Sequence, residues 1–295
     1  MLQIRRRPPT PSISVLDLEY RIDTPESKPN HILEEIVWNK ENEVDQMREK
    51  LSLAEMQKKL AHVPATRDFV AALRSGKTSP AVIAEVKKAS PSQGVIRADF
   101  DPVAIAKSYE LGGASCLSVL TDAKFFQGSF ENLSRIRSAV DLPLLCKDFI
   151  LYAYQICWAR VQGADAVLLI AAILPDEDLQ SFLKIAKKLG MAALIEVHDL
   201  AEFDRALALE GVELIGVNNR DLKDFSVNIN LTGELVAARQ DAIKAKNIIL
   251  VGESGIHTAS DLKTIANAGA TAVLIGESFM RQSDPGQALA QLLAS

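Results

Sequence analysis

The sequence predicts an α/β protein that closes as a (β/α)8 TIM barrel behind an N-terminal helical extension. Three observations predict it. Beyond Thr66, eight short runs rich in leucine and β-branched residues recur, each followed by a longer stretch of helical period. The runs are apolar throughout instead of alternating, as parallel strands buried on both faces must be. Most helical stretches end in glycine just before the next run, at Gly112-Gly113, Gly163, Gly190, Gly211 and Gly269. Glycine suits a helix C′ position in the left-handed region, where any Cβ is penalised.

Taken in order, residues 1–30 hold the triplet Arg5-Arg6-Arg7 and several prolines among polar and acidic residues, which predicts a polar, partly ordered extension. Acidic residues follow the triplet closely, so a transit peptide is not expected. Over 31–61 the apolar positions Ile32, Leu33, Ile36, Val37, Val44, Met47, Leu51 and Met56 recur mostly at steps of three and four. This is the stripe of one or two amphipathic helices with something to cover. Residues 62–295 form the barrel, with strands expected at 82–86, 116–120, 143–149, 166–171, 192–197, 214–218, 248–251 and 272–275. Their spacing of roughly 20 to 35 residues matches one strand, one loop and one helix. A doubly wound open sheet would normally carry a GxGxxG turn after an early strand, and none is present.

Composition excludes several functions. A net charge of −5 argues against a nucleic-acid surface. The longest strongly apolar run, 166–174, is far shorter than the roughly 20 residues that span a bilayer. No secretory h-region follows Met1. Cys116, Cys146 and Cys157 have neither disulfide-framework nor zinc spacing and read as reduced thiols, so a cytoplasmic protein without a metal or cofactor is expected.

In such a barrel the chemistry belongs at the C-terminal ends of the strands. There the apolar pattern is broken by Glu85 and Lys87 on the first strand, Lys147 on the third, Glu196 on the fifth, and Asn218 and Arg220 on the sixth. Six polar groups at corresponding depths around one rim predict an acid–base site. Lysines close together and partly desolvated are expected to have lowered pKa values, with the facing carboxylates shifted in turn. A Schiff base at Lys147 or Lys87 is an alternative chemistry. His198 shares the strand face of Glu196, either as a proton shuttle or as a loop hydrogen-bonding partner. After the seventh and eighth strands, Glu253-Ser254-Gly255 and Gly276-Glu277 sit where barrels often bind phosphate, and Ser90 converges on them from the first strand. Pro91, Phe126, Phe149, Leu168 and Leu222 predict a flat apolar wall suited to an aromatic ring.

The segments Val82-Ile83-Ala84-Glu85-Val86-Lys87-Lys88-Ala89-Ser90-Pro91-Ser92, Thr121 to Ser129, Leu145-Cys146-Lys147-Asp148-Phe149, Leu194-Ile195-Glu196-Val197-His198, Gly216 to Leu222 and Gly252-Glu253-Ser254-Gly255-Ile256 closely resemble indole-3-glycerol phosphate synthase of tryptophan biosynthesis. The resemblance covers about residues 31–295. It implies ring closure of 1-(2-carboxyphenylamino)-1-deoxyribulose 5-phosphate with loss of carbon dioxide and water. By analogy Lys147 is the general acid, Glu196 the general base, and Lys87, held by Glu85, a second acid. Asn218, Ser254, Arg220 and Glu253 orient the substrate, and Ser90, Gly255, Gly276 and Glu277 form its phosphate site, Glu277 through its backbone N–H alone. The small phosphorylated substrate is the expected partner, with neither nucleic acid nor membrane involved. A monomer or weak dimer is expected, and contact with other tryptophan-pathway enzymes is left open. Two alternatives stand beside this: a related phosphate-binding barrel such as phosphoribosylanthranilate isomerase, and a non-catalytic barrel that binds a metabolite.

Overall fold

The computed structural model describes residues 4–7, 13–15, 18–20, 28–76, 78–221 and 226–294. Eight parallel strands close the barrel: β1 (Ala81–Val86), β2 (Cys116–Leu120), β3 (Leu144–Lys147), β4 (Ala166–Ile170), β5 (Ala192–Val197), β6 (Leu214–Asn218), β7 (Ile249–Glu253) and β8 (Ala272–Ile275). Each pairs with its neighbour in chain order, and β8 pairs with β1. Nearly every strand residue is buried, which is why the runs lack alternation. The five anticipated helix-ending glycines, Gly113, Gly163, Gly190, Gly211 and Gly269, all have positive φ.

Two strands end two residues away from expectation, and the other boundaries agree to within one residue. The third strand stops at Lys147, because Asp148 turns its carboxylate back to accept the N–H of Phe149 at 2.8 Å. The seventh runs on to Glu253, because Glu253 still pairs with Asn218 and its carbonyl accepts the N–H of Asn219 at 2.9 Å. Glu253 is therefore a rigid strand residue and not a loop residue.

Ahead of the barrel stand α1 (Ile32–Lys50), α2 (Leu53–Leu60) and the short α3 (Phe69–Arg74). His31 Nδ1 caps α1, and Ser52 with Glu55 forms a reciprocal capping box on α2. Leu33 and Val37 of α1 join the barrel's core. Val44 packs instead with Met56 of α2 and Tyr154 of α6 (Ala153–Val161), the helix that follows β3. The arginine triplet lies along α1: Arg5 meets the fully buried Glu34 at 2.9 Å, Arg6 meets Glu41 at 3.5 Å, and Arg7 meets Asp45 at 3.1 Å. Although burial opposes it, the Arg5 guanidinium and the N–H groups of Asn30 and Arg5 hold the Glu34 carboxyl down at about 2.

The other connecting helices are α4 (Pro102–Gly112), α5 (Phe130–Arg137), α7 (Asp176–Lys188), α8 (Leu200–Ala208), α9 (Leu231–Ala245), α10 (Ala259–Asn267), α11 (Glu277–Met280) and α12 (Pro285–Leu293). In the loop between β1 and α4, Arg97 donates to the carbonyls of Gln282 at 2.7 Å and Ser283 at 3.0 Å. That ties the loop carrying Ser90 and Pro91 to the segment after β8. Among the described residues, no helix is long and apolar enough to cross a membrane.

Candidate active site

The C-terminal mouth of the barrel holds one cleft lined by residues of all the elements expected to build a site. Glu85, Lys87, Ser90, Pro91, Phe126, Lys147, Phe149, Leu168, Glu196, Asn218, Arg220, Glu253, Ser254, Gly255, Gly276 and Glu277 all reach it. Leu222 lies outside the described residues.

Lys147, at the last position of β3, extends into the centre of the mouth. Its Nζ donates to Glu196 Oε2 at 2.7 Å and to Glu253 Oε2 at 3.3 Å. The neighbouring strand makes room for this triad: a Cβ at Gly216 would collide with Glu253 Oε1, so β6 must be bare there for Glu253 to lean toward Lys147. Gly276 does the same for Glu85, whose carboxylate occupies the space a side chain would need. Glu85 Oε2 in turn pairs with Lys87 Nζ at 2.6 Å.

The expectation of lowered lysine pKa values is corrected for Lys147. Burial pulls its pKa down, but Glu196, Glu253 and Glu85 outweigh burial and push it above the usual lysine range. The amine is thus held protonated at rest, which suits an acid and not a Schiff-base nucleophile. The two carboxylates beside it divide. Glu196 stays ionised, since Lys147 and His198 overcome its burial and hold its pKa low. Glu253 is pushed up to about 8 by burial and by the charge on Glu196.

His198 sits between two carboxylates, Nε2 at 3.3 Å from Glu196 Oε1 and Nδ1 at 3.1 Å from Glu202 Oε2. Burial opposes protonation, but the two carboxylates raise its pKa to about 10. A ring held between two carboxylates and inclined to keep its proton is placed to orient Glu196. Because this pKa is above the unfolded value of 6.5, the stability it confers is fully present below about pH 6.5 and lost as pH rises through about 10. Urea titrations across that range should show the free energy of unfolding falling with pH, and His198→Asn should flatten the limb above pH 8. An equally steep limb in that variant would assign the effect elsewhere.

On the far side of the mouth, Ser254 has φ of 65° and Gly255 of 79°. Left-handed backbone is uncommon for a serine. Its Oγ donates to Asn218 Oδ1 at 2.9 Å and its carbonyl accepts from Asn219 Nδ2 at 3.2 Å, which hold the turn. Arg220 does not simply await a ligand: its Nη2 lies 3.3 Å from Glu277 Oε2. Glu277 also pairs with Arg281 at 3.0 Å, so its carboxylate faces arginines and only its main chain suits a phosphate. The apolar wall contains Phe126 and Phe149 with ring centroids 6.0 Å apart. Among the described residues, no group of three or more His, Cys, Asp or Glu is arranged to hold a metal ion.

Sequence reading missed Lys40, Asp122 and the role of Asp148, which form a buried ion cluster behind that wall. One signal was available. Lys40 falls in the gap between Val37 and Val44 on the apolar stripe of α1, where a charged residue needs a buried partner.

A family model described as indole-3-glycerol phosphate synthase matches residues 33–292. A protein of that name from Rippkaea orientalis is 62% identical over 291 residues, covering 99% of each chain. Others from Crocosphaera subtropica and Microcystis aeruginosa are each 60% identical, covering 99% of this chain and 100% and 98% of theirs. Among solved structures, a 3-hexulose-6-phosphate synthase aligns with a TM-score of 0.55 at 14% identity, covering 72% of this chain and 98% of its own. A thiamine phosphate pyrophosphorylase from Pyrococcus furiosus aligns with a TM-score of 0.53 at 15% identity, covering 72% of this chain and 93% of its own. These two likenesses speak for the fold alone.

Proposed function

The chain belongs to the indole-3-glycerol phosphate synthase family, and from that membership we propose how its residues divide the reaction. The protein is a carboxy-lyase of tryptophan biosynthesis. It closes the ring of 1-(2-carboxyphenylamino)-1-deoxyribulose 5-phosphate and releases carbon dioxide and water to leave indole-3-glycerol phosphate.

The observation that supports the assignment is the Lys147 amine 2.7 Å from the Glu196 carboxylate inside one cleft. As the carboxyl-bearing aryl carbon attacks the ketone, Lys147 delivers its proton to the ketone oxygen, which becomes a hydroxyl. The new ring nitrogen is then an electron-poor iminium that accepts the electron pair released with carbon dioxide. In the last stage Glu196 removes the proton from the ring carbon beside nitrogen, while Lys87, oriented by Glu85, protonates the departing hydroxyl as water. Holding the reacting carbons together in a cleft that excludes water contributes as much as the proton transfers. Phe126, Phe149, Pro91 and Leu168 flank the aryl ring, and Asn218, Arg220, Glu253 and Ser254 orient the chain. Ser90 and the main chain at Gly255, Gly276 and Glu277 hold the phosphate. For the carboxylate to reach Arg220, it competes with Glu277 for the guanidinium.

The isomerase alternative would draw on a cysteine. Cys146 is buried on the outer face of β3 with Sγ 3.4 Å from Thr121 Oγ1, and burial pushes its thiol far above the ordinary range. Residues 31–61 act in this reading as a cover for the barrel and 62–295 as the catalytic unit. A cytoplasmic monomer or weak dimer completes the proposal. The test is to supply the purified protein with the carboxyphenylamino substrate and follow indole fluorescence. Turnover without added metal or cofactor is expected; no turnover of a folded sample would overturn the reading.

A further inference from the structure

The N-terminal helix sends one charged side chain into the wall of the cleft. Lys40 of α1 is 3% exposed. Its Nζ lies 2.9 Å from Asp122 Oδ2, 2.9 Å from Asp148 Oδ1 and 2.6 Å from Glu43 Oε2. Asp122 follows β2 and Asp148 follows β3, so one ammonium joins two active-site loops to a helix outside the barrel. Burying such a cluster is a poor route to stability, since the desolvation of three ions offsets most of their attraction. Fixing one arrangement of the groups around it is a use better suited to its cost.

Both carboxylates are committed to the wall. Asp148 Oδ1 also accepts the N–H of Phe149 at 2.8 Å, and its Oδ2 accepts the Thr121 hydroxyl at 2.7 Å. Asp122 Oδ1 accepts the N–H of Phe125 at 2.8 Å, and its carbonyl accepts the N–H of Gly128 at 2.8 Å. Between them these contacts hold Phe126 and Phe149, the two rings that line the cleft, and Asp148 adjoins Lys147 itself.

We infer that Lys40 is a positioning residue for ring closure: by bridging Asp122 and Asp148 it fixes the loops after β2 and β3 so that the aromatic wall and the Lys147 ammonium address the same aryl group. The inference rests on the proposed function and deepens it. A misplacement of about 1 Å at a reacting centre can cost about 100-fold in rate. Residue Lys40 itself touches neither the cleft nor the substrate.

The test compares the parent enzyme with Lys40→Met and Lys40→Arg, each assayed well below its own Tm. The parent must turn over the carboxyphenylamino substrate; if it does not, the functional reading fails and not this inference. With an active parent, Lys40→Met is expected to raise KM and lower kcat, so that kcat/KM falls about 10- to 100-fold while circular dichroism stays native. Lys40→Arg, which keeps the cation but not its shape, should fall between the two. A merely structural lysine would lower Tm and leave KM unmoved. Values of kcat and KM within about twofold of the parent in folded Lys40→Met overturn the inference. Should Lys40→Met fail to fold, Lys40→Arg decides alone: a raised KM supports the positioning role, and an unchanged KM overturns it.

Discussion

Lys147→Ala is expected to lower kcat/KM for indole-3-glycerol phosphate formation by about three orders of magnitude, within the roughly 100- to 10,000-fold that a general acid contributes. The size follows from the geometry. Lys147 is the cation that Glu196 and Glu253 share, at 2.7 and 3.3 Å. Removing it deletes the proton donor for the ketone oxygen and leaves two buried carboxylates facing each other. Without the ammonium that lowers it, the Glu196 carboxyl rises beside a Glu253 already inclined to hold a proton, so the variant weakens its base together with its acid. Most of the deficit should appear in kcat, because the aryl and phosphate contacts that bind substrate are elsewhere. Lys147→Arg should not rescue the rate, since a guanidinium gives up its proton far less readily and reaches carboxylates as a fork, not a point. Single-turnover measurements on folded protein check both variants, and unchanged turnover in Lys147→Ala would remove this mechanism while leaving the fold intact.

The strand ends were legible in the sequence because they are local: a lysine or glutamate closing an apolar run, as at Lys147 and Glu196, announces a polar mouth without any knowledge of neighbours. The N-terminal stripe was legible for the same reason. What could not be read were relations between distant residues. Lys40 is separated from Asp122 by 82 residues and from Asp148 by 108, and only closure of the barrel brings them to 2.9 Å. The arginine triplet looks like a solvated charge run until Glu34 and Glu41 are seen beneath it. Arg220 reads as a cation awaiting substrate, yet it already faces Glu277. The sign of the Lys147 shift also depended on geometry. Lysines near lysines lower one another, but here three carboxylates act on the amine, and the balance reverses.

The second large effect separates two carboxylates that share one lysine. Glu196→Gln is expected to lower kcat by about 100- to 10,000-fold with KM little changed, the range for loss of a general base. Glu253→Gln at pH 7 should cost far less. The reason is that burial and the neighbouring negative charge push Glu253 up to about 8, which makes it the carboxyl of the pair that takes a proton first and the one an amide resembles more closely. Glu196, tied to both Lys147 and His198, is the one that is ionised. The pH dependence carries the sign of this division. As pH rises through about 8, Glu253 ionises and adds a second negative charge beside Lys147. That charge holds the lysine proton more tightly and weakens it as an acid, so parent kcat should fall on the alkaline side. Glu253→Gln has no such group to ionise, and its plateau should extend to higher pH. Equal losses in the two variants at pH 7, or an alkaline limb unmoved in Glu253→Gln, would mean that the pair shares one role, with neither carboxylate set apart by its surroundings.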